Sequence, residues 1–96
     1  MNSPIAIVAT ITTQAEHAET VELALRKAVP QVREEPGCEQ YVLHRDLADA
    51  NRFVMVERWR DGAALVAHAQ APAFLALAKA LDGIAELQIS KLSPLV

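Results

Sequence analysis

Residues 52–61 read Arg-Phe-Val-Met-Val-Glu-Arg-Trp-Arg-Asp, and this stretch predicts a central β-strand that leads directly into a helix. Successive side chains of a strand point to opposite faces, so the residues divide into two sets. One set is Phe53, Met55, Glu57 and Trp59, and the other is Val54, Val56 and Arg58. Because both sets are mainly apolar, we expect both faces of the strand to be covered. A carboxylate beside an indole on one of these faces is unusual for a plain core.

The rest of the chain supplies three further strands and two helical regions. β-Branched and alternating runs predict the strands, and apolar residues at three- and four-residue steps predict the helices. The predicted elements are strands at Ile5–Thr13, Cys38–Arg45 and Ala85–Leu92, a helix over residues 16–33, and helical segments that begin after the cap Asp61 and at Pro72. The order βαββαβ is that of an α+β, ferredoxin-like fold with an antiparallel sheet and helices on one face. We interpret residues 1–96 as one domain.

Composition narrows the class of protein. The net charge of -3 and the lack of any run of like charge argue against a nucleic-acid partner. The single cysteine, Cys38, excludes an internal disulfide, and no basic segment precedes an apolar core at the start, so we expect a cytoplasmic protein. Polar residues and Pro72 interrupt the most apolar span, residues 63–81. That span therefore predicts two short packed helices and no membrane partner.

The second apolar face of the predicted sheet indicates self-association. In a monomer of this fold, the face without helices would be polar, whereas the first and central strands offer Ile, Val, Ala, Phe and Met to both faces. A second copy would cover this face most economically in a two-fold homodimer whose sheets pack together. Such an interface should exceed roughly 1,000 Å².

Several segments resemble the antibiotic biosynthesis monooxygenase domain, which belongs to the dimeric α+β barrel superfamily. The segments are Glu35-Pro36-Gly37-Cys38 followed by Tyr41, residues 53–59, Ala67-His68, and Pro72-Ala73-Phe74. The resemblance implies a homodimer that oxidises a phenolic or quinol-like substrate with molecular oxygen and needs no flavin, haem or metal. Many relatives carry a histidine where this chain has Ala73, so a mechanism that needs a histidine pair is not expected. The histidine and asparagine of the haem-degrading branch are also missing.

The residue pattern agrees with chemistry that uses no cofactor. The three glycines form no phosphate-binding loop, and the three histidines and Cys38 lack metal-ligand spacing, so we expect neither a cofactor nor a metal. A deprotonated, electron-rich phenol can give an electron to oxygen directly. The protein would then supply a base, an apolar cavity and orienting hydrogen bonds.

Six side chains are candidates for such a site, and each also has a structural alternative. His68 and Glu57 are the catalytic candidates. The alternatives are a partly exposed helical histidine with no catalytic role for His68 and an ion pair with an arginine at the dimer interface for Glu57. The substrate-binding candidates are Trp59, Tyr41, His44 and Phe74, which could instead fill the core or bond to the backbone. We predict an enzyme, a cofactor-independent monooxygenase of a small aromatic, phenolic or quinol-like molecule. The alternative is a non-catalytic dimeric ligand-binding or interaction module. Convergence of Glu57, Trp59 and His68 on an open cavity would favour the enzyme.

Overall fold

A computed structural model describes residues 3–96 and confirms the predicted order of elements. The strands are β1 (Ile5–Thr13), β2 (Cys38–Arg45), β3 (Arg52–Trp59) and β4 (Ala85–Leu92), and the helices are α1 (Ala18–Arg33), α2 (Gly62–His68) and α3 (Pro72–Leu81). The first helical region differs slightly from the prediction, because a 3₁₀ turn at Ala15–His17 precedes α1. The fold is therefore the expected α+β arrangement.

The four strands form one open antiparallel sheet in the order β2-β3-β1-β4. β1 and β3 are the two central strands, and Val8 of β1 lies opposite Val56 of β3. β2 and β4 are the edges, and β2 has an irregularity in its pairing between Cys38 and Gln40. This register places Tyr41 opposite Glu57 and therefore on the same face of the sheet.

The helices cover one face of the sheet, and the core lies between them. Alternate residues of β1 and β3 are buried there against the apolar stripe of α1. The side chains with almost no exposed surface include Ile11, Val21, Leu25, Val32, Phe53, Met55 and Trp59. Both residues of the carboxylate–indole pair in β3 lie on this helix-covered face, because Glu57 and Trp59 belong to the same alternate set.

The helix-free face of the sheet has an apolar centre. Its half-buried residues include Ala6, Val8, Thr10, Val42, Val54 and Val56. A charged pair lies at one end of this face, where Arg58 Nε donates to Glu39 Oε1 at 3.1 Å. An apolar centre with a polar rim is the usual anatomy of a protein interface.

α2 is fixed at its start by a side-chain cap and by a close backbone approach. Asp61 is buried, and its Oδ1 accepts a hydrogen bond from the Ala64 backbone N–H at 2.9 Å. In the turn before β2, Gly37 has a φ of 82°, and a Cβ atom there would lie 2.5 Å from the Ala64 Cβ. A side chain at position 37 would thus push α2 away from the turn.

α2 and α3 are two short helices bent by 56° at the break between them, as the sequence predicted. Within residues 3–96, no single helix has both the length and the apolar character of a membrane span, although this bent pair together passes on length and composition.

Candidate active site

Glu57 and Trp59 form a buried hydrogen-bonded pair at the end of β3. The indole Nε1–H of Trp59 donates to Glu57 Oε1 at 3.0 Å. Trp59 has no exposed surface, and Glu57 is 6% exposed. Within residues 3–96, no arginine forms an ion pair with Glu57, and Glu57 faces the helices rather than the helix-free face. The structure therefore gives no support to the alternative in which Glu57 pairs with an arginine at a dimer interface.

His68, the last residue of α2, lies on top of this pair. Only 5% of its surface is exposed, and its ring packs on that of Trp59 with 4.4 Å between centroids and 31° between planes. Tyr41 and Phe74 contact the same imidazole at 5.8 Å and 5.2 Å between centroids, both with edge-to-face geometry. His68 is therefore buried and not partly exposed, as its structural alternative required. Four of the other five candidate side chains, Tyr41, Glu57, Trp59 and Phe74, thus lie around the imidazole of His68.

Glu35 is a member of the site that the sequence analysis did not single out. Its Oε1 lies 2.8 Å from His68 Nδ1. The two residues are 33 positions apart, so no local spacing connects them. The one signal in the sequence that could have pointed to Glu35 is its position in Glu35-Pro36-Gly37-Cys38, next to a tight turn.

A small cavity of about 40 Å³ lies between the sheet and α3, next to His68. Tyr41, Glu57 and His68 provide its polar wall, and the rest of the lining is apolar, including Phe74 and Leu77. Leu87 and Ile89 of β4 complete the lining at the sheet edge, and each is 47% exposed. Trp59 lies outside the lining. It supports the imidazole from behind instead of forming a wall for a ligand.

Three polar atoms of this wall have no partner among the described residues. The Tyr41 hydroxyl makes no hydrogen bond, Glu57 uses only Oε1, and His68 uses only Nδ1. No fully enclosed side-chain nitrogen or oxygen in residues 3–96 is left unpaired, so these three atoms keep some accessible surface. A hydroxyl that can donate, a carboxylate oxygen that can accept and the second ring nitrogen of His68 can thus each make a further hydrogen bond.

Burial alters the acid–base properties of the wall. The pKa of Glu57 is raised, mainly because burial disfavours its charged form and further because Glu35 carries the same charge; the Trp59 hydrogen bond and His68 oppose this shift. The pKa of the Tyr41 phenol is also raised, first by burial and then by the carboxylates of Glu57 and Glu35. Tyr41 therefore remains a neutral hydroxyl at ordinary pH and can donate a hydrogen bond.

His44 lies apart from the cluster. It is an exposed residue of β2 on the helix-free face, and its Nδ1 is 3.1 Å from the Val42 carbonyl oxygen. Tyr41 and His44 are three positions apart, and residues an odd number apart in a strand face opposite ways. Among residues 3–96, no group of three or more His, Cys, Asp and Glu side chains has the arrangement of a metal site.

The fold and site define a split βαβ domain with a buried acid–base cluster beside a small apolar cavity. The sequence model of the antibiotic biosynthesis monooxygenase family matches residues 4–80, and the chain belongs to this family. It is 34% identical to a protein of Escherichia coli named "Probable quinol monooxygenase YgiN", over 81% of this chain and 84% of that protein. The crystal structure of PA3566 from Pseudomonas aeruginosa has a TM-score of 0.93 and 39% identity, and covers 100% of this chain and 98% of that one.

A further relative differs in length. The chain is 32% identical to the uncharacterized protein sll1783 of Synechocystis over 76% of its own length, and this match spans only 50% of that protein. The chain therefore matches about half the length of this relative.

Proposed function

We propose that the protein is a cofactor-independent monooxygenase of a small aromatic, phenolic or quinol-like molecule. The observation that carries this proposal is the convergence of Tyr41, Glu57 and His68 on one apolar cavity, each with a polar atom that no described residue engages. Membership of the family and the name of the E. coli relative support the same reaction class.

In the proposed reaction, His68 Nε2 removes a proton from the bound phenol. The Tyr41 hydroxyl and the Glu57 carboxylate form hydrogen bonds with the oxygens attached to the ring. The apolar walls keep water from the activated ring. The deprotonated ring then gives an electron to molecular oxygen. One oxygen atom becomes bonded to a ring carbon, and the other leaves as water with the two hydrogen atoms that the substrate loses. The substrate is itself the reductant, so the atoms and electrons balance without a further reagent.

The cavity has to widen to hold such a ring. At about 40 Å³ it has room for no more than a few water molecules. Leu87 and Ile89 stand at the half-exposed sheet edge, and their displacement would open the cavity without breaking the sheet's backbone pairing. Of the three side chains whose convergence on an open cavity would favour the enzyme, Glu57 and His68 line this cavity and Trp59 does not. A non-catalytic ligand-binding or interaction module therefore remains the alternative function.

Oxygen consumption distinguishes the two functions. The metal-stripped protein would be tested with hydroquinones, naphthols and anthrones, beside His68→Ala and, as a histidine control outside the cavity, His17→Ala. We expect uptake by the wild type and by His17→Ala, and a loss of at least about 100-fold for His68→Ala, in line with the contribution of a general base. No uptake by a folded wild-type protein with any of these substrates would favour the binding module.

We further propose that the functional unit is a homodimer in which two helix-free faces pack together. The support is the apolar centre of that face and its charged rim. Val56→Lys places a charge in the centre of the face and should reduce the mass measured by light scattering to that of a monomer. Val66→Lys, on the exposed side of α2, is the matched control and should not change the mass. A monomeric wild type at micromolar concentration would overturn this proposal. The cytoplasm is the compartment that the sequence predicts.

A further inference from the structure

We propose that Glu35 is a positioning residue that keeps the proton of neutral His68 on Nδ1 and so leaves Nε2 as the basic nitrogen beside the cavity. This inference rests on the proposed function, in which Nε2 is the base. It follows from hydrogen-bond chemistry, because an ionised carboxylate can only accept. With Glu35 Oε1 at 2.8 Å from Nδ1, the nitrogen has to be the donor.

The burial of the pair makes this hydrogen bond effective. His68 is 5% exposed, and the side chain of Glu35 is 15% exposed. Water therefore has little access to compete for Nδ1, and the bond gains strength in these apolar surroundings. Nε2 takes part in no hydrogen bond with residues 3–96, so nothing in that part of the chain favours the opposite tautomer.

The backbone holds Glu35 in this place. Its N–H donates to the Val32 carbonyl at 2.9 Å and its own carbonyl accepts from Cys38 N–H at 3.1 Å, which fixes both sides of the turn between α1 and β2. The Gly37 carbonyl also accepts from Arg60 N–H at 2.8 Å, and Gly37 lies against α2. The turn is therefore attached to the start of the helix that ends in His68.

The other ionisable groups near the imidazole do not replace Glu35. Tyr41 approaches from β2 and Glu57 from β3, and the carboxylate of Glu57 is bonded to Trp59 rather than to the imidazole. Arg60 lines a surface groove on the other side of His68, and its Nε lies 3.5 Å from Asp61 Oδ2. From α3 the packed neighbour is Phe74, which has no charge. Within the described residues, Glu35 alone hydrogen-bonds the ring.

The tautomer can be measured by ¹⁵N NMR of histidine-labelled protein at a pH where His68 is neutral. We expect the wild type to show a protonated Nδ1 and an unprotonated Nε2. Glu35→Leu, which removes the acceptor, should transfer most of the proton to Nε2. Glu35→Asp keeps a carboxylate and should retain the wild-type pattern. Glu34→Leu is the matched control, since the exposed Glu34 side chain makes no contact with His68, and it should change nothing.

The kinetic readout separates positioning from a structural role. With a substrate found in the oxygen assay, Glu35→Leu should lower kcat by about 10- to 100-fold, the usual effect of losing a group that orients a histidine, while KM changes by less than about threefold. Glu35→Asp should recover most of kcat. An Nδ1–H tautomer that persists in folded Glu35→Leu would overturn the proposal whether or not turnover is found. Absence of turnover in the wild type with the expected tautomer change would contradict only the proposed function.

Discussion

The hydrogen bond between Trp59 and Glu57 predicts that a second mutation will rescue the first. Trp59→Phe leaves the buried carboxylate without its donor, and a hydrogen bond to a charged group contributes about 1.5–3 kcal/mol. The smaller ring also buries less apolar surface, which at about 0.8 kcal/mol per buried carbon costs about 1–2 kcal/mol more. We expect Trp59→Phe to lower the free energy of unfolding by about 2.5–5 kcal/mol.

In the double variant, Glu57→Leu with Trp59→Phe, no buried charge is left unpaired. Only the packing loss remains, because replacing both partners of a buried bond by apolar groups can be nearly neutral. The double variant should therefore be more stable than Trp59→Phe by about 1.5–3 kcal/mol. A double variant that is less stable than Trp59→Phe would refute the reasoning.

Urea unfolding followed by far-ultraviolet circular dichroism is the appropriate assay, because Trp59 is the single tryptophan and its fluorescence is lost in the variant. The protein concentration should be the same throughout, since a dimer would make stability concentration-dependent. Phe53→Leu provides the control. Phe53 is as deeply buried as Trp59 but lies four residues from Glu57 along β3. The loss of stability caused by Phe53→Leu should therefore be the same, within about 0.5 kcal/mol, whether position 57 is Glu or Leu.

Three further predictions concern the residues that support the site. Burial raises the pKa of Glu57 above 4.5, the value of an unperturbed Glu. The protein therefore has its full stability below about pH 4.5 and loses part of it as the pH rises through the raised pKa and the buried carboxyl ionises. Glu57→Gln should thus raise Tm at pH 8 and leave it nearly unchanged at pH 4. Each unit by which the pKa is raised corresponds to about 1.4 kcal/mol of lost stability at high pH. A lower Tm at pH 8 would contradict this prediction. Asp61→Ala removes the cap of α2 and should cost about 1–2 kcal/mol in urea unfolding, with Asp61→Asn costing less than half of that; equal losses would argue against a capping role. Gly37→Ala should destabilise clearly more than Gly83→Ala. Both positions have a positive φ, which costs an alanine roughly 1–2 kcal/mol. Only at Gly37 would the new Cβ also lie 2.5 Å from the Ala64 Cβ. Equal melting temperatures of the two variants would show that this contact relaxes without cost.

The strands could be predicted to the residue because their signals are local. β1, β2 and β4 begin and end where the β-branched and alternating runs do, and the turn at Pro36-Gly37 and the cap at Asp61 supply the boundaries of the helices. The placement of Glu57 with Trp59 on one face also follows from a period of two, as does the separation of His44 from Tyr41.

The remaining features of the site depend on distances that no local pattern encodes. Glu35 meets His68 only because the turn before β2 packs against α2, and that contact needs the tertiary fold. The role of Trp59 is similar. Its aromatic character suggested a ligand wall, whereas the structure uses it to support His68 and to bond Glu57. Leu87 and Ile89 give a further example. The alternation of apolar and polar residues in β4 predicts which face of the sheet they lie on, but not how far another element covers them, and each stays about half exposed.

The unpaired atoms of Tyr41, Glu57 and His68 have a consequence for molecular discrimination. A molecule that enters the cavity displaces whatever water satisfies these atoms, and it has to replace those hydrogen bonds. A ring with correctly placed hydroxyl groups can do so, whereas the same ring without them leaves buried polar groups unmatched. Sites built in this way reject the deoxy analogue by up to about 10⁴-fold, much more strongly than an apolar wall rejects an extra methyl group. Selectivity would therefore depend more on the hydroxyl pattern of a ligand than on its size.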